Sequence, residues 1–235
     1  GYSYQKLDRH KDAVAIYKKF LEIYPESPLA PQITMNLCES LYTLEDYKQA
    51  IDILQKDNSL DKDYLSKKLY FLGDSYYHIG NNAKARENFV LFINKFPDDP
   101  LVNQAIYNLG WTFYKEKKYK EAAKAFAEVY KREKTTDLGL RSLFREGKAL
   151  REGKNFQEAK RIFAELVDKF PESNVADESL FEIGLIDYYE EKDYKSALKS
   201  FLKLKNDYSD SEYYYKAIKM AAECYISLNQ IDGTY

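Results

Sequence analysis

Cysteine is nearly absent from this 235-residue chain, with only Cys38 and Cys224 present. Two thiols so far apart exclude a disulfide-dense scaffold and any four-cysteine zinc site. Histidine is as rare: His10 and His78 stand alone, and there is no HExxH pair, no CxxC, no GxxxxGK[ST] and no GxSxG. The motifs that mark metal, nucleotide-phosphate and nucleophilic-elbow chemistry are therefore missing. No catalytic, metal-binding or cofactor-binding residue is assigned, and no cofactor is expected. Glycine (9) and proline (6) are too few for an all-β chain built on many turns. The longest purely apolar run is Phe89 to Ile93, far short of a membrane span. Charge of one sign is lacking too: 36 basic residues face 38 acidic ones, for a net charge of -2. That excludes a polybasic nucleic-acid tail or an acidic tail as the dominant character. The chain opens Gly1-Tyr2-Ser3 without methionine, so the natural N-terminus is expected upstream and no targeting signal is readable.

What the chain has in quantity is tyrosine, 23 residues, which with 13 Phe and 1 Trp raises the aromatic share to 16%. Hydrophobic residues reach 45%, enough to fold, and the length suits one large domain or two ordinary ones. The rings are not scattered. A small residue recurs at Gly1, Cys38, Gly73, Gly110, Gly147, Gly184 and Ala222, at steps of 35 to 38. A second small series runs through Ala13, Ala50, Ala85, Ala122, Ala159 and Ala197. Four residues after each comes a large side chain: Tyr17, Leu54, Phe89, Phe126, Phe163 and Phe201. Several units close on an aromatic-proline pair, as at Tyr24-Pro25, Phe96-Pro97 and Phe170-Pro171. Coincident series at one period are the mark of a repeat array.

Each unit reads as two antiparallel helices, A and B. Ile106, Leu109, Gly110 and Phe113 share one helical face, as do Ala122, Phe126 and Val129, with a short polar turn between. The small residues allow close helix approach, and the large residue of helix B fills the next gap. Proline closes helix B because the residue before it is pushed out of the α region. Asp98, Ser173 and Ser211 are predicted helix N-caps. One unit carries an extra residue after Gly184, which leaves its helix A register open. Cys38 and Cys224 are expected at or near packing positions.

This set (Gly/Ala in helix A, Ala and Phe in helix B, a closing Pro) resembles the tetratricopeptide repeat (TPR) family over essentially the whole chain. The resemblance implies an all-α fold, a right-handed α-solenoid with a period of about 37 rather than the usual 34. A HEAT-like array fits less well, because its period is longer and it lacks the Gly-Ala-Phe-Pro set. The chain then divides as a single array, 1–235: a partial repeat at 1–26, repeats near 27–61, 62–98, 99–135, 136–172 and 173–209, and a partial repeat at 210–235. Both ends cut a repeat and neither carries a polar cap, so the chain is expected to belong to a longer protein. The linkers "YPESPLA", "FPDDPLV" and "FPESNVA" are similar to those of bacterial cell-envelope TPR proteins, the outer-membrane assembly lipoprotein and the TolA-binding type.

In TPR proteins the helix A residues not used for packing line a concave face. Carried onto this register, that implies a groove of rings from Tyr70, Tyr77, Tyr107, Trp111, Tyr114, Phe144, Phe181 and Tyr188. Asn108 stands beside them, Arg141, Arg145 and Lys148 at i, i+4 and i+7 add a basic stripe, and Arg151 is a further groove position. From Lys131 to Arg161 ten basic residues meet five acidic, whereas from Glu172 to Asp193 eight acidic meet one basic. The competing reading makes many of these rings inter-helix packing and the charge blocks solvated faces. The carboxylate clamp of chaperone-binding TPR proteins is disfavoured, since Tyr70 and Asp74 stand where it needs donors.

The expected function is a non-catalytic protein–protein interaction scaffold whose aromatic, locally basic groove binds a peptide or partner domain. The expected setting is the bacterial envelope or periplasm, with the cytoplasm as the alternative. Neither nucleic acid nor a membrane-spanning segment is expected, and the sequence sets no oligomeric state. The competing function is an accessory or targeting TPR region of a larger enzyme.

Overall fold

The computed structural model describes residues 1–56 and 62–232. The end of the repeat expected at 27–61 and the last residues of the chain lie outside the described residues. Everything regular among the described residues is helical. Contacts divide the chain into two compact units, Gly1–Glu116 and Lys117–Tyr235. The division falls between the two helices of the repeat expected at 99–135.

The first unit holds α1 (Tyr2–Lys6), α2 (His10–Ile23), α3 (Ala30–Thr43), α4 (Tyr47–Lys56), α5 (Lys62–His78), α6 (Asn82–Lys95) and α7 (Val102–Lys115). The second holds α8 (Tyr119–Arg132), α9 (Asp137–Glu152), α10 (Phe156–Lys169), α11 (Ala176–Leu185), α12 (Tyr194–Asp207) and α13 (Tyr214–Asp232). Within each unit helices pack mainly on their neighbours in sequence. No described helix is long and apolar enough to cross a membrane.

The paired small and large series explain this packing. A Cβ built at Gly73 would stand 2.8 Å from the Phe89 ring, at Gly147 2.6 Å from Phe163, and at Gly184 2.5 Å from Phe201. Helix A thus presses its backbone onto the ring of helix B, and Phe89, Phe163 and Phe201 are fully buried. At the C-terminal end the series needs correcting. Ala222 is exposed, while Ala221, 37 residues after Gly184, is buried with Ala217 and Cys224. Both cysteines are buried core thiols, and burial pushes that of Cys224 up to about 11.

The turn from helix A to helix B repeats one backbone device. Asp8, Glu45, Gly80, Lys117, Lys154 and Lys192 all adopt positive φ, between 56° and 80°. Glycine supplies this left-handed state once; elsewhere an ordinary residue is held in it at a cost of about 1 kcal/mol. Where its end is described, helix B also ends alike: Tyr24, Phe96, Glu133, Phe170 and Tyr208 share φ near -130°. Glu133 and Tyr208 do so with no following proline, so Pro25, Pro97 and Pro171 fit a conformation the linker adopts anyway.

Asp98, Ser173 and Ser211 are not N-caps. Helices α7 and α11 begin after Leu101 and Val175, with no side-chain cap. The polar linker residues close the preceding turn instead: Ser27 Oγ, Asp99 Oδ1 and Ser211 Oγ accept from the amides of Leu29, Leu101 and Tyr213. Side-chain caps form instead at Asp46, Asn81, Thr136 and Asp193.

The extra residue after Gly184 has a definite location. Helix α11 passes into a π-helical turn at Ile186–Glu191 before Lys192 reverses the chain. The wider turn absorbs one residue, so α12 still meets α11 with Phe201 beneath Gly184.

Candidate partner-binding site

In the first unit the A helix α5 adjoins both α3 and α7. Asp74 of α5, 5% exposed, ties them together. Its carboxylate accepts from the Tyr42 hydroxyl of α3 and, at 2.8 Å, from Asn108 Nδ2 of α7. His78 Nε2, one turn along α5, lies 3.0 Å from the Tyr42 oxygen and 3.6 Å from Asp74. Tyr47 stacks on the His78 ring at 4.4 Å. Burial raises the Asp74 pKa, against the hydrogen bond from Tyr42 and the neighbouring His78. Tyr42 is raised in turn, first by burial and then by the bond it gives Asp74.

The expected rings of this unit flank that bolt, and none is fully buried. Tyr70 leans inward, edge-on to Phe89 and Phe92, and burial raises its pKa. Tyr77 meets His78 edge-on at 5.6 Å and carries Lys115 Nζ 3.7 Å from its ring centre. Along α7, Tyr107, Trp111 and Tyr114 form an edge-to-face ladder, with centroids 6.3 and 5.4 Å apart. Asn108 is committed inward to Asp74, and Gln104 donates to its side-chain oxygen at 2.9 Å.

In the second unit the expected groove residues separate. Phe144 is 1% exposed and packs on Phe163 at 5.6 Å; Phe181 is 9% exposed between Phe201 and Tyr213. Both are core rings rather than groove rings, each packed on the buried Phe of its helix B. Lys148 Nζ and Arg151 Nη1 each stand 2.5 Å from a carboxylate oxygen of Glu182, itself 3% exposed. The basic block and the acidic block are thus partners across adjacent repeats, and these two cations are spent on the fold. Arg141 is exposed and pairs with Asp137 at 2.8 Å. Arg145 lies 5.3 Å from the Phe144 ring centre. Tyr188 is half-buried, edge-on to Tyr189 and Tyr194, with its hydroxyl 3.3 Å from Ser227 Oγ. Among the described residues no group of His, Cys, Asp or Glu is placed to hold a metal.

Sequence reasoning missed Tyr42. The signal was present: Tyr42 follows Cys38 by four residues, as Tyr77 follows Gly73 and Tyr114 follows Gly110.

Known proteins converge on the same architecture. Two family models described as tetratricopeptide repeat match, one at residues 1–27, 141–173 and 178–211, the other at 70–137. Comparison with curated proteins gave no match. Among solved structures, MamA from Desulfovibrio magneticus RS-1 superposes with TM-score 0.64 at 18% identity, covering 77% of this chain and 97% of its own. A tetratricopeptide repeat protein from Parabacteroides merdae gives 0.62 at 15%, covering 94% and 95%. YrrB, a TPR protein described as having an unusual peptide-binding site, gives 0.63 at 18%, covering 86% and 97%. At such identities the likeness shows the fold alone. Repeats of this type generally mediate protein–protein contacts and are typically non-catalytic. With well over half of its length matched by these models and its helices paired as they require, the chain belongs to the tetratricopeptide repeat family.

Proposed function

We propose that this chain is a non-catalytic scaffold that holds a peptide or partner domain against the ring ladder of its first unit. The observation that carries the reading is the row Tyr77, Tyr107, Trp111 and Tyr114, half-exposed and braced edge-to-face over helices bolted together by Asp74. Large rings with few rotatable bonds, already held in place, give up little entropy on binding, the physics of an interface hot spot. The peptide-binding site reported for YrrB supports a peptide ligand. The linkers' similarity to those of cell-envelope TPR proteins supports a setting in the bacterial envelope, which fractionation of cells expressing the natural protein would test.

The decisive experiment compares wild type with a Tyr107→Ala/Trp111→Ala variant in partner capture from a source lysate, followed by mass spectrometry. Loss of the captured partner, by about 2 kcal/mol or more in affinity, is expected with the helical melting curve retained. Equal capture by a folded variant would refute the groove.

A further inference from the structure

The residue after the small Ala of helix B is Val14, Ile51, Arg86, Ala123, Lys160 and Leu198 in successive repeats. Two of these are basic, and both reach over to the following helix A. Arg86 lies 5.4 Å from the Phe113 ring centre and its Nη1 stands 2.6 Å from Glu116. Lys160 bridges Asp187 and Glu191. Between them in the chain, Ala123 has no side chain to send. The acid at the turn is missing as well: Gly153 stands where the flanking repeats have Glu116 and Glu191.

What remains is a cleft of about 520 Å³ with Ala123, Ala127 and Ala149 among its walls. Glu146 also lines it. Every other repeat has an apolar residue at that position, directly before the small residue of helix A: Leu37, Leu72, Leu109, Ile183 and Met220. Glu146 thus breaks the pattern in the one repeat whose cleft is vacated. No hydrogen bond or ion pair reaches its carboxylate among the described residues, and burial pushes its pKa up to about 7. The nearby Arg161 is engaged by Glu158 at 2.8 Å and Glu165 at 3.6 Å and lowers that pKa only in part.

We infer that this cleft of the second unit is a subsite for a basic side chain, arginine or lysine, presented by a partner protein. The incoming side chain would occupy the space that Arg86 and Lys160 fill in the flanking repeats, with Glu146 as its counter-ion. Lys120 and Lys124, both exposed, line the same cleft. They favour acidic residues beside the basic one and disfavour a free polycation. The site is separate from the ring ladder and stands or falls without it.

The test uses the 235-residue chain and the blocked peptide Ser-Glu-Arg-Glu-Ser, against the same peptide with neutral citrulline replacing arginine. Titration followed by amide NMR should show the arginine peptide binding at least tenfold tighter, with shifts at Ala123, Ala127 and Glu146. Glu146→Gln should erase the discrimination. Ala123→Arg should fill the cleft as Arg86 does, raise the melting temperature and block the peptide. Equal binding of the two peptides, no binding at millimolar concentration, or undiminished binding to folded Ala123→Arg would each overturn the inference. Spermidine binding as tightly as the arginine peptide would also overturn it, by assigning the cleft to free polycations.

Discussion

Glu182 answers two cations at once, and the fold depends on that arithmetic of charge. Lys148 and Arg151 arrive from α9, one on each carboxylate oxygen, at a site nearly closed to water. Removing the anion would strand both cations in a poorly solvated place, where a broken ion pair typically costs 3–5 kcal/mol. Because both cations are partly exposed, Glu182→Gln is expected to cost about 2–3 kcal/mol, read as a lower urea midpoint. A midpoint unchanged from wild type would make the pairing incidental. At this scale the sequence was only partly legible. The opposite charges of the two blocks were evident, but their pairing spans 31 and 34 residues and emerges only when helices are stacked. Phe144 and Phe181 were misplaced for a related reason: the register put them on the inner side of helix A, while the ring of helix B, one layer away, decides whether that side is covered.

At the scale of the helix and its turn, one left-handed residue per repeat does the reversing. Lys154, at φ 62°, pays the steric cost that glycine avoids at Gly80. Lys154→Gly should therefore stabilise the second unit by about 0.5–1 kcal/mol, after the added freedom of the unfolded chain is deducted. Gly80→Ala should destabilise the first unit by a similar amount, and paired thermal melts would check both. Helix pairing was readable because the Gly–Phe contacts recur at fixed spacing. The π-helical turn was readable only as a miscount: spacing showed one residue too many after Gly184, and nothing local says that a widened turn will take it up. The N-caps were misjudged because serine and aspartate close the linker turn as readily as they cap a helix.

For the whole molecule, buried ionisable groups set the response to pH. Asp74, Glu146 and Asp187 have raised pKa values, each chiefly from burial. The folded chain then keeps protons that the unfolded chain has lost, so this contribution is full below the ordinary carboxylate range and fades as pH rises, for Glu146 through about 7. Glu158, Glu165 and Asp193 are lowered and act oppositely, losing their contribution as pH falls below about 4. Tyr17, Tyr42, Tyr70, Tyr77, Tyr130 and Tyr213 are all raised by burial, so their contribution holds below about pH 10 and is lost above it. Urea midpoints should rise modestly from pH 8 to 6, fall below about 4, and drop steeply above about 10 as tyrosinate absorbance appears. Glu146→Gln should flatten the first of these changes. Insensitivity to alkali would contradict the burial of so many phenols.

Trp111 is the only indole in a chain with 23 phenols, and Tyr107 and Tyr114 stand edge-on to it with ring centroids 6.3 and 5.4 Å away. Excitation energy absorbed by those phenols will drain to the indole, so the molecule's emission is dominated by a chromophore in the proposed groove. The fold thus carries its own optical reporter, and a ligand that displaces water from the ladder would announce itself as a colour shift without any label.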